Sequence, residues 1–136
     1  MKQVKGDMVD FKVNVDELIR ECKKACIDTL EETSTIAVGE IQAITPVRFG
    51  HLRSSMTHDD VDKYKLSVDV GSNIDYAPYV EEGYTQKEGQ YVPVLGKKLT
   101  GKHIDGHWMI RDGLTIAESN MESILQEKLK ERFKKW

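Results

Sequence analysis

Residues 71–84 read Gly71-Ser-Asn-Ile-Asp-Tyr-Ala-Pro-Tyr-Val-Glu-Glu-Gly-Tyr84, and the rest of the chain is arranged around this stretch. Its two glycines suit backbone angles that a residue with a Cβ resists, and its proline fixes one torsion. The pattern predicts a tight corner. Its aromatic rings either pack in the local core, as is usual for a turn, or form a surface that contacts other subunits. The second alternative is considered because tyrosine is enriched in interface cores. The three rings belong to Tyr76, Tyr79 and Tyr84.

A hairpin is predicted immediately before this corner. Leu66, Val68 and Val70 alternate with polar residues, which is typical of a half-buried strand, and we expect residues 57–61 to pair with it. Within residues 45–56, Pro46 and Gly50 bracket an earlier turn. A short helical piece or the start of a strand is expected to follow it. An ion pair from Arg53 to Glu81 would join this turn to the corner.

Apolar residues recur at helical spacing from Leu18 to Ile44 after a predicted helix start at Asn14–Glu17, and Pro46 then stops the helix. The alternation in Val9–Val13 predicts a short strand before it. A helix of roughly 29 residues would be about 43 Å long, more than the diameter of so small a domain. Either Gly39 bends the helix, or one end projects as a contact surface for another subunit.

Beyond the corner, residues 85–105 are rich in glycine and lysine and predict a long loop. Its apolar residues either dock onto a neighbouring chain or pack back on their own domain; the candidates for docking are Tyr91, Val92 and Leu95. Residues 106–110 are expected to form a further strand, and a final apolar stripe runs from Leu114 to Trp136 on a C-terminal helix.

These elements predict a single α+β domain over residues 1–136. A small antiparallel sheet of three to four strands packs against a long N-terminal helix and a C-terminal helix, with a long loop at about 85–105. The candidate subunit contacts are Tyr76, Tyr79, Glu81, Tyr84, Arg53, Tyr91, Val92 and Leu95.

Composition excludes several classes of function. Twenty Lys and Arg residues against twenty-three Asp and Glu give a net charge of −3, which disfavours general nucleic-acid binding. No apolar run approaches the roughly twenty residues that span a bilayer, so no membrane contact is expected. Cys22 and Cys26 lie four apart on one predicted helix, where disulfide geometry is poor, and a reducing cytoplasm fits them.

Catalytic patterns are weak. His103 and His107, with Asp105 between them, have the spacing of a helical metal site, but the flanking Gly101 and Gly106 argue against a helix. The serines near His51 lack the glycine elbow of a nucleophile. We therefore expect no enzyme, with no catalytic, cofactor or metal residues. A small metal-binding or nucleic-acid-binding protein encoded by a mobile element is the alternative.

Two motifs stand out in the chain: Thr45-Pro-Val-Arg-Phe-Gly-His-Leu-Arg-Ser-Ser55 and Val70-Gly-Ser-Asn-Ile-Asp-Tyr-Ala-Pro-Tyr-Val-Glu-Glu-Gly83. Together they resemble the small neck or tail-component proteins of tailed bacteriophages and prophages, also described as head–tail joining or tail-completion proteins. Phe49 replaces the usual threonine, and Tyr84 stands where many members carry threonine or histidine. A looser likeness covers residues 106–110.

The resemblance implies a non-enzymatic virion protein that assembles as a homo-oligomeric ring at the neck and contacts neighbouring neck and tail proteins. It also implies assembly in the host bacterial cytoplasm and passage of DNA without specific binding. Rings need two different patches on each subunit. The tyrosine corner with the long loop is the candidate for one patch, and the end of the first helix for the other.

Overall fold

The computed structural model describes residues 2–92, 96–98 and 100–134, with the side chains of residues 2–14 and of Val92 outside the description. Helices dominate. The helices and strands are α1 Lys2–Ile44, α2 Gly50–Ser55, β1 Thr57–His58, β2 Val70–Gly71, α3 Ala77–Glu82, β3 Gly83–Thr85, β4 Tyr91–Val92, β5 Lys97–Lys98, β6 His103–Asp105 and α4 Met109–Arg132, with a 3-10 turn at Val47–Phe49.

The α+β class is confirmed, with its long N-terminal helix, its C-terminal helix and small antiparallel sheets. The strands pair two by two, β1 with β2, β3 with β6 and β4 with β5. Within the described residues they therefore form three short ladders in place of one sheet of three to four strands. The predicted long loop carries the β4–β5 ladder, and it ends at Asp105 with β6, the second strand of the β3–β6 ladder.

Two predicted strands are wrong. Val9–Val13 lies inside α1, because its apolar residues also continue the helical spacing of the residues that follow, and so short a run cannot decide between the two periods. Residues 106–110 also form no strand. Trp108 has a positive φ of 51°, which bends the chain, and α4 begins at the next residue, Met109.

The hairpin is shorter than predicted. Val70 is in β2, but residues 63–66 form a turn closed by a bridge between Asp62 and Ser67. The Asp62 carboxylate accepts hydrogen bonds from the amides of Tyr64, at 2.9 Å, and Lys65, at 3.0 Å. A side chain that bonds to the backbone two residues on favours a turn over a strand.

The described residues divide into two units. The first comprises those within Met1–Ile36, His58–Asp69 and Ala117–Trp136, and the second those within Ala37–Thr57 and Val70–Ile116. The second unit has a cluster of buried hydrophobic residues, and Gly113 of α4 approaches Ile41 of α1 closely in this unit. The buried residues of this cluster are Ile41, Leu52, Met56, Ala77 and Met109.

The first unit buries mainly small residues. Ala25 and Thr29 of α1 are 0% and 3% exposed, and Ala117 and Ile124 of α4 are also buried. Ion pairs join the two helices at the end of α4, where Arg132 donates to Glu21 at 3.0 Å and to Asp28 at 2.6 Å. The guanidinium of Arg132 lowers the pKa of the Glu21 carboxyl below its ordinary value.

Candidate functional site: an aromatic pocket

The predicted corner is a single-turn helix followed by a sharp reversal. Pro78 lies in the first turn of α3, where the missing amide hydrogen costs no helical hydrogen bond. Gly83 ends the helix with a φ of 82°, which a residue with a side chain rarely adopts. Tyr76 and Tyr79 precede this reversal and Tyr84 follows it in β3. Tyr76 and Tyr84 therefore flank α3, and Tyr79 lies within it.

The chain segment before α4 crosses the end of α3 at close range. A Cβ on Gly83 would lie 2.6 Å from the amide nitrogen of Gly106, and a Cβ on Gly106 would overlap the carbonyl oxygen of Glu81. Hydrogen bonds from the amides of His107 to Val80, at 2.9 Å, and of Trp108 to Glu81, at 3.0 Å, close the crossing. The two glycines leave room for backbone against backbone.

The Glu81 side chain fixes the start of α4. Its carboxylate oxygens accept hydrogen bonds from the amides of Ile110, at 2.8 Å, and Arg111, at 3.0 Å. These amides lie in the first turn of α4, where backbone donors lack partners within the helix. Negative charge is also favourable at a helix N-terminus. A residue of the corner thus caps a helix that starts almost thirty positions later.

An open pocket of about 460 Å³ lies against this crossing, entirely within the second unit. Its lining is mostly aromatic and aliphatic. The Tyr79 and Tyr84 rings meet edge to face, with centroids 5.9 Å apart and planes at 83°. The lining residues are Arg48, Phe49, Tyr76, Tyr79, Val80, Tyr84, Ile104, Asp105 and His107.

The tyrosines leave a large part of their surface accessible. Tyr76 is 40% exposed, Tyr79 58% and Tyr84 43%. Rings of this size bury 150–250 Å² when fully covered, so burial of the remaining surface would stabilise a complex substantially. The backbone that carries these tyrosines is fixed by the close crossing of Gly83 and Gly106, and a fixed backbone loses less conformational entropy when a partner binds.

One edge of the pocket carries charge. Arg48 Nη2 lies 3.2 Å from His107 Nε2. A guanidinium only donates, so His107 Nε2 is the acceptor in this hydrogen bond. The Phe49 ring packs against His107 at 5.6 Å and lies under the Arg48 guanidinium at 5.0 Å. The result is an apolar floor with a cationic and hydrogen-bonding rim.

Three other candidate subunit contacts, Arg53, Glu81 and Tyr91, are not among the residues that line this pocket. Arg53 is half-buried on α2, and the expected pair with Glu81 is absent from the ion pairs of the described residues, because the Glu81 carboxylate is taken up by the start of α4. Tyr91 in β4 is 57% exposed. The Val92 side chain and the whole of Leu95 lie outside the described residues, as does Trp136.

Sequence reasoning missed the far wall of the pocket, which comes from Arg48, Phe49, Ile104 and His107. Phe49 could have been predicted, since it is an aromatic residue at a turn position that usually holds threonine, and a large ring there is expected to pack against another part of the protein. Ile104 and His107 carried none, because contacts between distant positions place them there. Ile104 lies opposite Tyr84 in the pairing of β3 with β6, and the His107 amide donates to the Val80 carbonyl.

The two histidines of the metal hypothesis take separate partners. His103 lies 3.1 Å from the Thr85 hydroxyl and 3.5 Å from the Asp105 carboxylate, whereas His107 contacts Arg48 and Phe49. Within the described ranges, no group of three or more potential metal ligands is gathered. In the same part of the chain, every helix is too short or too polar to cross a membrane.

A family model described as "Bacteriophage HK97-gp10, putative tail-component" matches residues 10–83, more than half of the chain. The protein is therefore, by class, a component of a bacteriophage tail. It belongs to the HK97-gp10-like family. The matched region includes α3 with Tyr76 and Tyr79 and ends at Gly83, so the strand pairing that completes the pocket lies beyond it. No curated protein and no solved structure gave a significant match.

Proposed function

We propose that this tail component acts without catalysis, in head–tail joining or tail completion, by assembling into a homo-oligomeric ring at the virion neck. Virion location follows from its class; assembly would take place in the host cytoplasm. The observation that carries the proposal is the aromatic pocket, in which three partly exposed tyrosines stand on a fixed backbone. Tyrosine and arginine dominate the energetic centres of protein interfaces.

A closed ring requires two different patches on each subunit, so that each copy grips the next in the same way. The pocket with its tyrosines forms one patch in this proposal, and Arg53, Glu81 and the loop residues Tyr91, Val92 and Leu95 extend it. The N-terminal end of α1 forms the other, where Leu18 and Ile19 are 39% and 60% exposed. Neighbouring neck and tail proteins would contact the faces of the ring.

The mildly acidic balance of the chain supports DNA passage without retention. A net charge of −3 supplies no general attraction for a phosphate backbone. The metal-binding alternative would need His103 and His107 to converge, and their rings take different partners.

The test compares Tyr79→Asp with Tyr64→Asp. Tyr64 is 96% exposed and does not line the pocket, so Tyr64→Asp makes the same chemical change outside the proposed contact. Native mass measurement across concentrations, alone and with phage neck proteins, should show self-association weakened about thirtyfold or more by Tyr79→Asp and unchanged by Tyr64→Asp. Equal effects of the two variants would contradict the proposal.

A further inference from the structure

The aromatic pocket combines an apolar floor with a cation that has no carboxylate partner. Arg48 is exposed, lies over the Phe49 ring and donates to His107, and it takes part in no ion pair between described residues. Asp105 also lines the pocket, but its side chain is 97% exposed, so water and salt screen its charge. A complementary partner is therefore an apolar side chain with a carboxylate close beside it.

The pocket is large enough to receive an aliphatic side chain. Its volume is about 460 Å³, whereas an apolar cavity of about 150 Å³ already holds benzene. Its three tyrosines are between 40% and 58% exposed. A side chain that enters beside them buries apolar surface on both partners, which favours binding.

The described part of α1 carries an exposed aliphatic side chain with an acidic neighbour. Val47 and Ile19 have the most exposed large aliphatic side chains of the described residues, at 81% and 60%. Val47 adjoins Arg48 and so belongs to the surface around the pocket, which leaves Ile19. Asp16 precedes Ile19 by three positions, so the two side chains share one face of α1, with Cβ atoms about 5–6 Å apart.

The Asp16 carboxylate is available for a partner outside its own chain. It is exposed and forms no ion pair within the part of the chain that the structure describes. Glu21, in contrast, is bonded to Arg132 and lies 3.6 Å from the Lys24 ammonium. An apolar side chain and an unpaired anion thus lie together on α1, with a charge opposite to that of the pocket rim.

We propose that Ile19 of one copy enters the aromatic pocket of the next copy, and that Asp16 pairs there with Arg48. The inference rests on the proposed ring and deepens it, because it assigns the two patches to each other. Each copy offers its pocket to one neighbour and its helix face to the other, which is the head-to-tail contact that a closed ring needs. The partner is a second copy, since this chain carries both the pocket and the side chains that complement it.

Charge reversal tests the pairing, because like charges placed opposite each other cost far more than the loss of an exposed pair. Sedimentation equilibrium of the full-length protein should show self-association weakened about tenfold or more by Asp16→Arg and by Arg48→Asp. Glu17→Arg is the control, since it makes the same charge change about 100° around the helix. Equal weakening by Glu17→Arg and Asp16→Arg, or a wild-type protein that is monomeric at every concentration, overturns the inference.

A mixture of the two reversed variants tests whether the pair forms between copies. The new arginine of Asp16→Arg then meets the new aspartate of Arg48→Asp, and the unchanged residues of the two variants form the original pair. Association of the equimolar mixture should return to within about threefold of the wild type, although each variant alone associates weakly. A mixture of folded variants that associates no better than either alone overturns the inference.

The apolar part of the contact has its own variant. Because Ile19 is 60% exposed, Ile19→Asp should unfold at the same temperature as the wild type. It should nevertheless weaken self-association about tenfold or more, since it places a charge in an apolar pocket. Wild-type association of Ile19→Asp overturns the inference.

The outcomes also separate this inference from the ring. If Tyr79→Asp fails to assemble while Asp16→Arg and Ile19→Asp assemble like the wild type, the assigned pairing is wrong and the pocket remains the ring contact. If the mixture recovers association but electron microscopy shows only open chains, the pairing is supported and the closed ring is wrong.

Discussion

The Glu81 carboxylate accepts hydrogen bonds from the Ile110 amide, at 2.8 Å, and from the next amide along, and so caps α4 from the end of α3. Removing it leaves two helix-start donors without their partner. We expect Glu81→Ala to lower the free energy of unfolding by ~1–2 kcal/mol. Glu82→Ala is the control, since Glu82 is exposed and should change stability by less than about 0.5 kcal/mol. Urea denaturation of the two variants measures both, and equal midpoints would contradict the capping role.

The crossing of Gly83 and Gly106 should tolerate no side chain at either position. A methyl group at Gly106 would overlap the Glu81 carbonyl oxygen, which is backbone and cannot move aside cheaply. Gly106→Ala is therefore expected to destabilise the protein by about 2 kcal/mol or more. Gly71→Ala, with open space around its Cβ, is the control and should remain near wild type. Thermal unfolding of the pair gives the comparison.

Two helical glycines should respond to alanine with opposite signs. At Gly39 of α1 an added Cβ meets nothing within 4 Å, so Gly39→Ala should stabilise by ~0.5–1 kcal/mol through helix propensity. At Gly113 of α4 the Cβ would lie 2.9 Å from the Ile41 backbone nitrogen. Gly113→Ala should destabilise by ~1–3 kcal/mol despite the same propensity gain. Chemical denaturation that moved both midpoints in one direction would refute the close approach.

Acid should weaken the first unit through Glu21. Its pKa is lowered because Arg132 donates to its carboxylate, so the stabilisation is complete above the ordinary value of 4.5 and is lost as the pH falls through the lowered pKa. Arg132→Met should move the Glu21 pKa back toward 4.5 and flatten the loss of stability as the pH falls below that value. Lys130→Met, at an exposed position in the same turn, should leave the pH dependence of stability unchanged. Carboxyl titration by NMR and acid unfolding of both variants give the readouts.

Local periodicity was sufficient to predict much of the fold. Pro46 correctly placed the end of α1 at Ile44, and the apolar spacing from Leu114 onward marked most of α4. The corner of glycine, proline and tyrosine was recognised from residue types alone. These features depend on neighbours within a few positions, which a sequence shows directly.

The rest depends on contacts between distant positions. Nothing near Glu81 in the sequence shows that its partners are the amides of Ile110 and Arg111. Likewise, the pocket closes only because β3 pairs with β6 and brings Ile104 beside Tyr84. The strand predicted at Val9–Val13 was wrong because five alternating residues fit two periods, and the longer helical pattern around them prevails.

The central claim is that this chain builds a closed ring by burying the tyrosines of its pocket. Electron microscopy of the purified protein mixed with phage neck proteins tests it most directly. We expect closed rings of one subunit number for the wild type and for Tyr64→Asp, and none for Tyr79→Asp. Rings of the same size from Tyr79→Asp, or only monomers and open chains from the wild type, would contradict the account.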